Sequence, residues 1–315
     1  GFRDNSEFKS NNFYIHLGYE VNRRTKITGE ISYLNYLAQQ AGGLSDKMFL
    51  NSPLQSNRSR NWFGLDWFLF NLKLKHKFST TSNLSINFFG LDAERNSIGF
   101  RSNRVDQVDP FTERDLIKGE FNNHGVEVKF LNNYSFFNLR NVFVIGGKYY
   151  RSKSTSKQGP GSSLDDADFE FYLDKFPNYT NQSDYMYPNK NIALFGENII
   201  YITDKISLTP GLRYENILTR SDGSFKQINL DAAGNVIYNN TTYEKQNSRR
   251  SFFLFGLGLS YKPSKDIEWY SNVSQNYRSV TFADISIINP SYAINPNISD
   301  EKGITVDLGL RGEIK

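Results

Sequence analysis

The chain has 315 residues, no cysteine, 15% aromatic residues, a net charge of +4 and a mean hydropathy of −0.56. The absence of cysteine excludes disulfides, thiolate metal sites and cysteine nucleophiles, and so small a charge over this length gives no electrostatic footprint for a nucleic-acid partner. Its 26 Phe and 19 Tyr exclude disorder, and the longest apolar runs, at 62–70 and 252–259, fall far short of the ~18–20 residues of a spanning helix.

The dominant pattern along the chain is alternation at period two. Phe13, Ile15, Leu17, Tyr19 and Val21 alternate with Tyr14, His16, Gly18 and Glu20. Ile27, Gly29, Ile31 and Tyr33 then alternate with polar neighbours, and Phe68, Phe70, Leu72 and Leu74 repeat the pattern. Near the end, Ile304, Val306, Leu308 and Leu310 alternate with Thr305, Asp307, Gly309 and Arg311. Eleven strands are expected, near 10–21, 26–37, 62–78, 84–91, 120–131, 139–151, 191–202, 206–219, 251–262, 267–276 and 303–315, with no long helix. Each has one apolar and one polar face.

The connections carry more information than the strands. Tight ones at 22–25, 79–83, 132–138, 203–205 and 263–266 alternate with long polar ones at 38–61, 92–119, 152–190, 220–250 and 277–302. A soluble sandwich has no reason to gather its long loops at one end, whereas an outer-membrane barrel does. The expected fold is therefore all-β, a transmembrane antiparallel meander barrel with short periplasmic turns and long extracellular loops. Tyr19, Tyr33, Tyr36, Phe78, Tyr149, Tyr150, Tyr201, Tyr214, Tyr261, Trp269 and Tyr270 lie toward strand ends, as interfacial girdles require. Arg213 and Glu215 share a face and, being charged, point to the lumen, which leaves Leu212 and Tyr214 toward lipid.

Eleven strands do not close a bacterial single-chain barrel, and Gly1 is followed by charged residues where a signal peptide would be apolar. Both features suggest an internal piece of a larger barrel. Three passages carry a resemblance. Gly42-Gly43-Leu44-Ser45 precedes Ser52-Pro53-Leu54-Gln55-Ser56-Asn57-Arg58, and Ala193-Leu194-Phe195-Gly196-Glu197-Asn198 precedes Leu208-Thr209-Pro210-Gly211-Leu212-Arg213-Tyr214-Glu215. The third runs from Trp269-Tyr270-Ser271-Asn272 through Asn276-Tyr277-Arg278 and Ser299-Asp300-Glu301-Lys302 to Leu308-Gly309-Leu310-Arg311. Together they resemble TonB-dependent outer-membrane receptors, of the ferric dicitrate type.

The resemblance implies that residues 1–315 are about half of a barrel of about 22 strands, with the plug domain and the last strands outside them. It implies import of a ferric chelate, ferric citrate or a related anionic siderophore, across the outer membrane of a Gram-negative bacterium, energised by TonB through the plug. Lipid and lipopolysaccharide are the expected surroundings, and neither a reaction nor a cofactor is implied. Other readings are uptake of a different siderophore, cobalamin or an oligosaccharide, a barrel hydrolase, or a soluble all-β binding domain.

For chemistry in the chain itself, His16, His76 and His124 have no ligand spacing, and neither HExxH nor GxSxG occurs. The acidic run Asp165, Asp166, Asp168 and Glu170 lacks the pattern of a calcium loop and is expected to be solvated. The candidate ligand-binding residues are Arg58 and Arg60 beside Trp62, with Arg278 at a strand–loop junction. Guanidinium groups pair carboxylates through a planar fork, which suits an anionic hydroxycarboxylate complex.

Overall fold

The computed structural model describes residues 1–102, 104–136, 138–280 and 298–313. The chain forms β1 (Phe8–Asn22), β2 (Thr25–Gln39), a short helix α1 (Asp46–Asn51), β3 (Trp62–Lys77), β4 (Ser82–Gly99), β5 (Asp115–Phe136) and β6 (Leu139–Pro160). It continues with β7 (Gln182–Tyr201), β8 (Ile206–Leu230), β9 (Val236–Tyr261), β10 (Ile267–Arg278) and β11 (Glu301–Gly312). All eleven strands make one antiparallel sheet in sequence order, with β1 and β11 at its edges. Among the described residues no helix is long and apolar enough to cross a membrane.

Register shows how the alternating sequence becomes two faces. Leu17, Gly29, Leu72, Phe88, Val126, Tyr149 and Ile192 pair in one continuous row from β1 to β7. Thr28, Lys73, Asn87, Glu127, Lys148, Ala193 and Glu215 form a neighbouring row on the opposite face. Since a one-residue slip would exchange the two faces, seven strands agree on one register. The apolar face is left bare: Leu194, Phe253, Phe255, Val306 and Leu308 are all exposed. Apolar area on this scale exceeds what a soluble surface carries and is what a bilayer covers.

Local chemistry sets the tight turns. The Asn22 side chain accepts from the Arg24 amide, Ser79 Oγ from the Thr81 and Ser82 amides, and Thr203 Oγ1 from the Lys205 and Ile206 amides. Small polar side chains that close their own turns in this way make short connections at one end of the sheet. Pro210 interrupts the β7–β8 ladder, whose pairs run through Glu197↔Gly211 and resume at Ile200↔Leu208. A residue without an amide proton leaves such a gap.

The structure corrects three expectations. The expected loop at 220–250 is mostly strand: β8 and β9 continue through it and join at residues 231–235. There the Asp231 carboxylate accepts from the Ala233 and Asn235 amides, and Gly234 takes φ +85°, so the turn is a specified one. The connections at 92–119 and 152–190 likewise shrink to 100–114 and 161–181 because the polar ends of β4 to β7 pair as strand. Most of the 277–302 loop, residues 281–297, lies outside the described residues. Finally, the aromatic set divides between the faces: by register Tyr149, Tyr214, Tyr261 and Trp269 share the apolar face, while Tyr36, Tyr150, Tyr201 and Tyr270 lie on the other. Position near a strand end does not determine face; parity does.

Replacing Leu194, which is 59% exposed on the apolar face of β7, by Arg should cost about 2–4 kcal/mol near mid-bilayer. Urea-dependent folding into lipid vesicles reads this out. Asn272→Arg, on the opposite face beside Asp307, should stay within about 0.5 kcal/mol.

Candidate functional site: the loop cluster and the polar wall

Three connections meet at the end of the sheet opposite the tight turns: 40–61, 100–114 and 161–181. They are held together by three arginines. Arg60 is 1% exposed and grips Asp109 through Nε and Nη2 at 2.9 and 2.5 Å, while its Nη1 donates to the carbonyls of Thr112 and Ser163. Arg114, also fully buried, donates to the carbonyls of Arg60, Ser162 and Asp166 and to Ser162 Oγ. Arg58, 5% exposed, donates to the Gln107 and Arg104 carbonyls and Ser102 Oγ, with its guanidinium over the Phe100 ring. Five fixed donors per guanidinium let each arginine bridge chain segments far apart in sequence.

Burial pushes the Asp109 carboxyl up, but the Arg60 bonds, the Phe111 amide and the charges of Arg60 and Arg58 outweigh it and hold the group below the usual carboxylate range. Asp115 behaves oppositely: burial raises it, only partly offset by Gln158, by Arg101 at 3.4 Å and by Tyr179. The acidic run is drawn into the same cluster. Asp165 stands 4.0 Å from Arg60 and Asp166 3.6 Å from Arg114, while Asp168 accepts from Tyr172. Among the described residues no group of acids or histidines has the geometry of a metal site.

Trp62 donates from its indole nitrogen to the Asp165 carbonyl at 2.7 Å. By continuous register from Phe70 and Phe68 it belongs to the apolar face of β3, not the polar wall. Arg278 lies far along the sheet, at the end of β10, ion-paired to Glu301 of β11 at 2.6 Å. The structure thus brings Arg58, Arg60 and Trp62 together and leaves Arg278 apart. Beside Arg278, Asp300 accepts from Arg250, from Tyr277 Oη at 2.6 Å and from the Val280 amide, which ties β9 to both ends of the last long connection.

On the polar wall, Arg213 Nε donates to Glu215 at 2.5 Å, and Asn191 donates to the other Glu215 oxygen at 2.7 Å. Glu215 is 8% exposed, and the Arg213 guanidinium lies 5.4 Å from the Phe195 ring centre. Lys26, Lys75, Lys129 and Arg213 occupy one row of this wall. Lys73 and Lys77 stand two residues either side of Lys75 on β3. Among the described residues, Lys73, Lys75 and Lys77 have no acidic partner within 4 Å.

A protein-family model described as "TonB dependent receptor-like, beta-barrel" matches residues 4–314. The chain belongs to this family of receptor barrels. The chain is similar in fold to the unliganded ferric citrate transporter FecA, with 15% identity and a TM-score of 0.72 over 98% of this chain and 42% of that one. It is similar also to the ferric yersiniabactin uptake receptor FyuA from Yersinia pestis, with 12% identity and a TM-score of 0.69 over 98% and 43%. The copper transporter OprC gives 14% identity and a TM-score of 0.67 over 98% and 43%. The chain therefore spans less than half the length of these structures. No curated protein sequence matches it.

In a TonB-dependent receptor barrel the apolar face meets lipid and the polar wall lines the lumen. Loop charge does not single out Arg114, Asp109 or the β3 lysines, because Arg114 and Asp109 fall in a connection of net negative charge and the lysines sit inside a strand. The alternation Leu72, Lys73, Leu74, Lys75, His76, Lys77 was the available signal.

Removing Arg60 strands Asp109, since their side chains are 1% and 4% exposed. Arg60→Ala should open the cluster at a local cost of about 3–5 kcal/mol, read as faster amide exchange across 100–114 and 161–181. Acid should act at the same point. A carboxyl depressed in the folded state contributes stability above its unfolded pKa and loses it as pH falls through its folded pKa. Trp62 emission, in a protein with Trp67 and Trp269 replaced by Phe, should therefore change on acidification below the ordinary carboxylate range, and Asp109→Asn should abolish that dependence.

Proposed function

We propose that this chain is part of the barrel domain of an outer-membrane, TonB-energised receptor of about 22 strands that imports an anionic ferric chelate, ferric citrate or a related hydroxycarboxylate complex. The observation that carries the anionic cargo is the run of unpaired lumenal lysines on β3. Lys75, flanked by Lys73 and Lys77, lies level with Lys26, Lys129 and Arg213; those three are paired with Glu20, Glu127 and Glu215, whereas the β3 lysines lack an acidic partner among the described residues. In a water-filled channel with low-dielectric walls, one sign of charge raises the local concentration of the opposite ion. The fold likeness to a ferric citrate transporter is in keeping with this cargo.

Arg58, Arg60 and Trp62 enter this proposal in a specific role. Their donors are taken by the loops, so they shape the outer surface that receives the chelate, while Arg278 stands at the lumenal rim beside Glu301. The TonB complex and a plug domain are the partners the proposal requires.

Binding of ferric citrate to the intact receptor, followed by intrinsic fluorescence, is the direct test, with an uncharged ferric hydroxamate and cupric ion as competing cargoes. Ferric citrate should bind, and K73Q/K75Q should slow uptake of iron-55 citrate by roughly tenfold, as loss of focused charge does for other steered ligands. Binding confined to the hydroxamate or to copper would replace the substrate assignment.

A further inference from the structure

The outward face of the upper sheet carries a feature that neither chelate import nor the loop cluster uses. The last apolar row on β5 to β9 reads Val126, Tyr149, Ile192, Asn216 and Ser251. Two residues further toward the long connections, the same face reads His124, Arg151, Lys190, Leu218 and Arg249, in directly opposed pairs. Two residues further again come Lys153 on β6 and Arg220 on β8, with Asn122 and Asn247 as neighbours.

Five cations thus gather on β6 to β9 immediately above the apolar band, and all five are exposed. None has an acidic partner within 4 Å among the described residues. Among the described residues their one charge-related contact is that of Lys190, 5.3 Å from the Tyr149 ring centre. The nearest acids of this face are Glu120 on β5 and Asp222, which already holds Lys245 at 2.9 Å, both beyond the cations, and Asp92 on β4, level with Lys153 but two strands away. Arg151 and Lys190 oppose each other directly across the β6–β7 ladder. Like charges so placed destabilise a sheet, and a screened aqueous surface offers only partial relief.

The membrane boundary offers more. From β6 to β9 the strand spacing gives a patch about 14 Å wide, which fits a headgroup carrying more than one phosphate. Arg forks and Lys ammonium groups both bind phosphate. We propose that Arg151, Lys153, Lys190, Arg220 and Arg249 form a binding site for a multiply phosphorylated lipid headgroup of the outward-facing leaflet. Its acyl chains lie along Ile192, Leu194 and Tyr214 below. The site rests on the reading of the apolar face as lipid-facing.

The test is retention of lipid A by the intact protein, purified in detergent, delipidated, reloaded and analysed by native mass spectrometry. R151Q/K190Q should lower lipid A retention by roughly tenfold or more, given about 1 kcal/mol for each cation near an anionic surface, and R151K/K190R should restore it. K153Q/R220Q carries the same expectation should the first pair fail to fold. K73Q/K75Q, lumenal and of equal charge change, should leave retention unchanged. Equal retention by wild type and both Gln pairs overturns the site, as does a preference for phosphatidylglycerol or for inorganic phosphate over lipid A. Failure of the membrane reading would show separately, as a protein that stays soluble and monomeric without detergent.

Discussion

Hydrocarbon supplies no hydrogen-bond partners, so each backbone amide and carbonyl that crosses it must be paired within the protein. The structure follows from that constraint. Eleven consecutive strands pair only with their sequence neighbours, and the ladders keep their register across the apolar band, with a gap in pairing at Pro210. With backbone polarity satisfied in the ladders, side chains are free to differ by face. Leu72 and Lys73 are one residue apart, yet the first stands in an apolar row seven strands wide and the second beside Asn87 and Thr28. The same alternation that keeps charge out of lipid gathers it on the lumenal wall.

Beyond the band, the constraint relaxes and a different device takes over. The strands run on through polar sequence, and three connections are joined by arginines whose guanidinium groups replace an apolar core. Only a small apolar cluster, including Ile98 and Leu116, is buried there. Arg60 and Arg114 together reach backbone carbonyls in all three connections. A loop cluster built on directed hydrogen bonds and one buried ion pair has a shape more sharply specified than its stability suggests, because removing one partner leaves the other unpaired. It also couples that shape to acidity through Asp109.

Charge on this molecule is sorted by environment. Lumenal cations face an aqueous passage, loop cations are consumed in the cluster, and outward cations mark the upper edge of the apolar band. The three groups share residue types and differ only in parity and height. Arg213 and Arg151 make the point: each is an arginine in a strand, but one is held by Glu215 and Phe195 on the lumenal wall and the other opposes Lys190 on the outer face. Reading the loops by net charge alone would have merged Arg220 and Arg249 with Arg58, although β8 and β9 carry the first two on a continuous sheet.

The sequence by itself determined the eleven strands, their faces and the end at which the tight turns lie. Period-two alternation and turn chemistry are local properties, and they need no knowledge of distant partners. It also identified Arg213 and Glu215 as sharing the polar face, because parity within one strand settles that. What it left open was where strand ends and loop begins in polar stretches: residues 220–250 have no apolar face to reveal their pairing, and only the partner strand shows it. The fate of Arg58 and Arg60 was likewise a tertiary matter. Asp109 is 49 residues from Arg60 in the chain, and no spacing rule connects them. The cross-strand row of Arg151, Lys190 and Arg249 needed the register of four strands at once, which no single stretch of sequence contains.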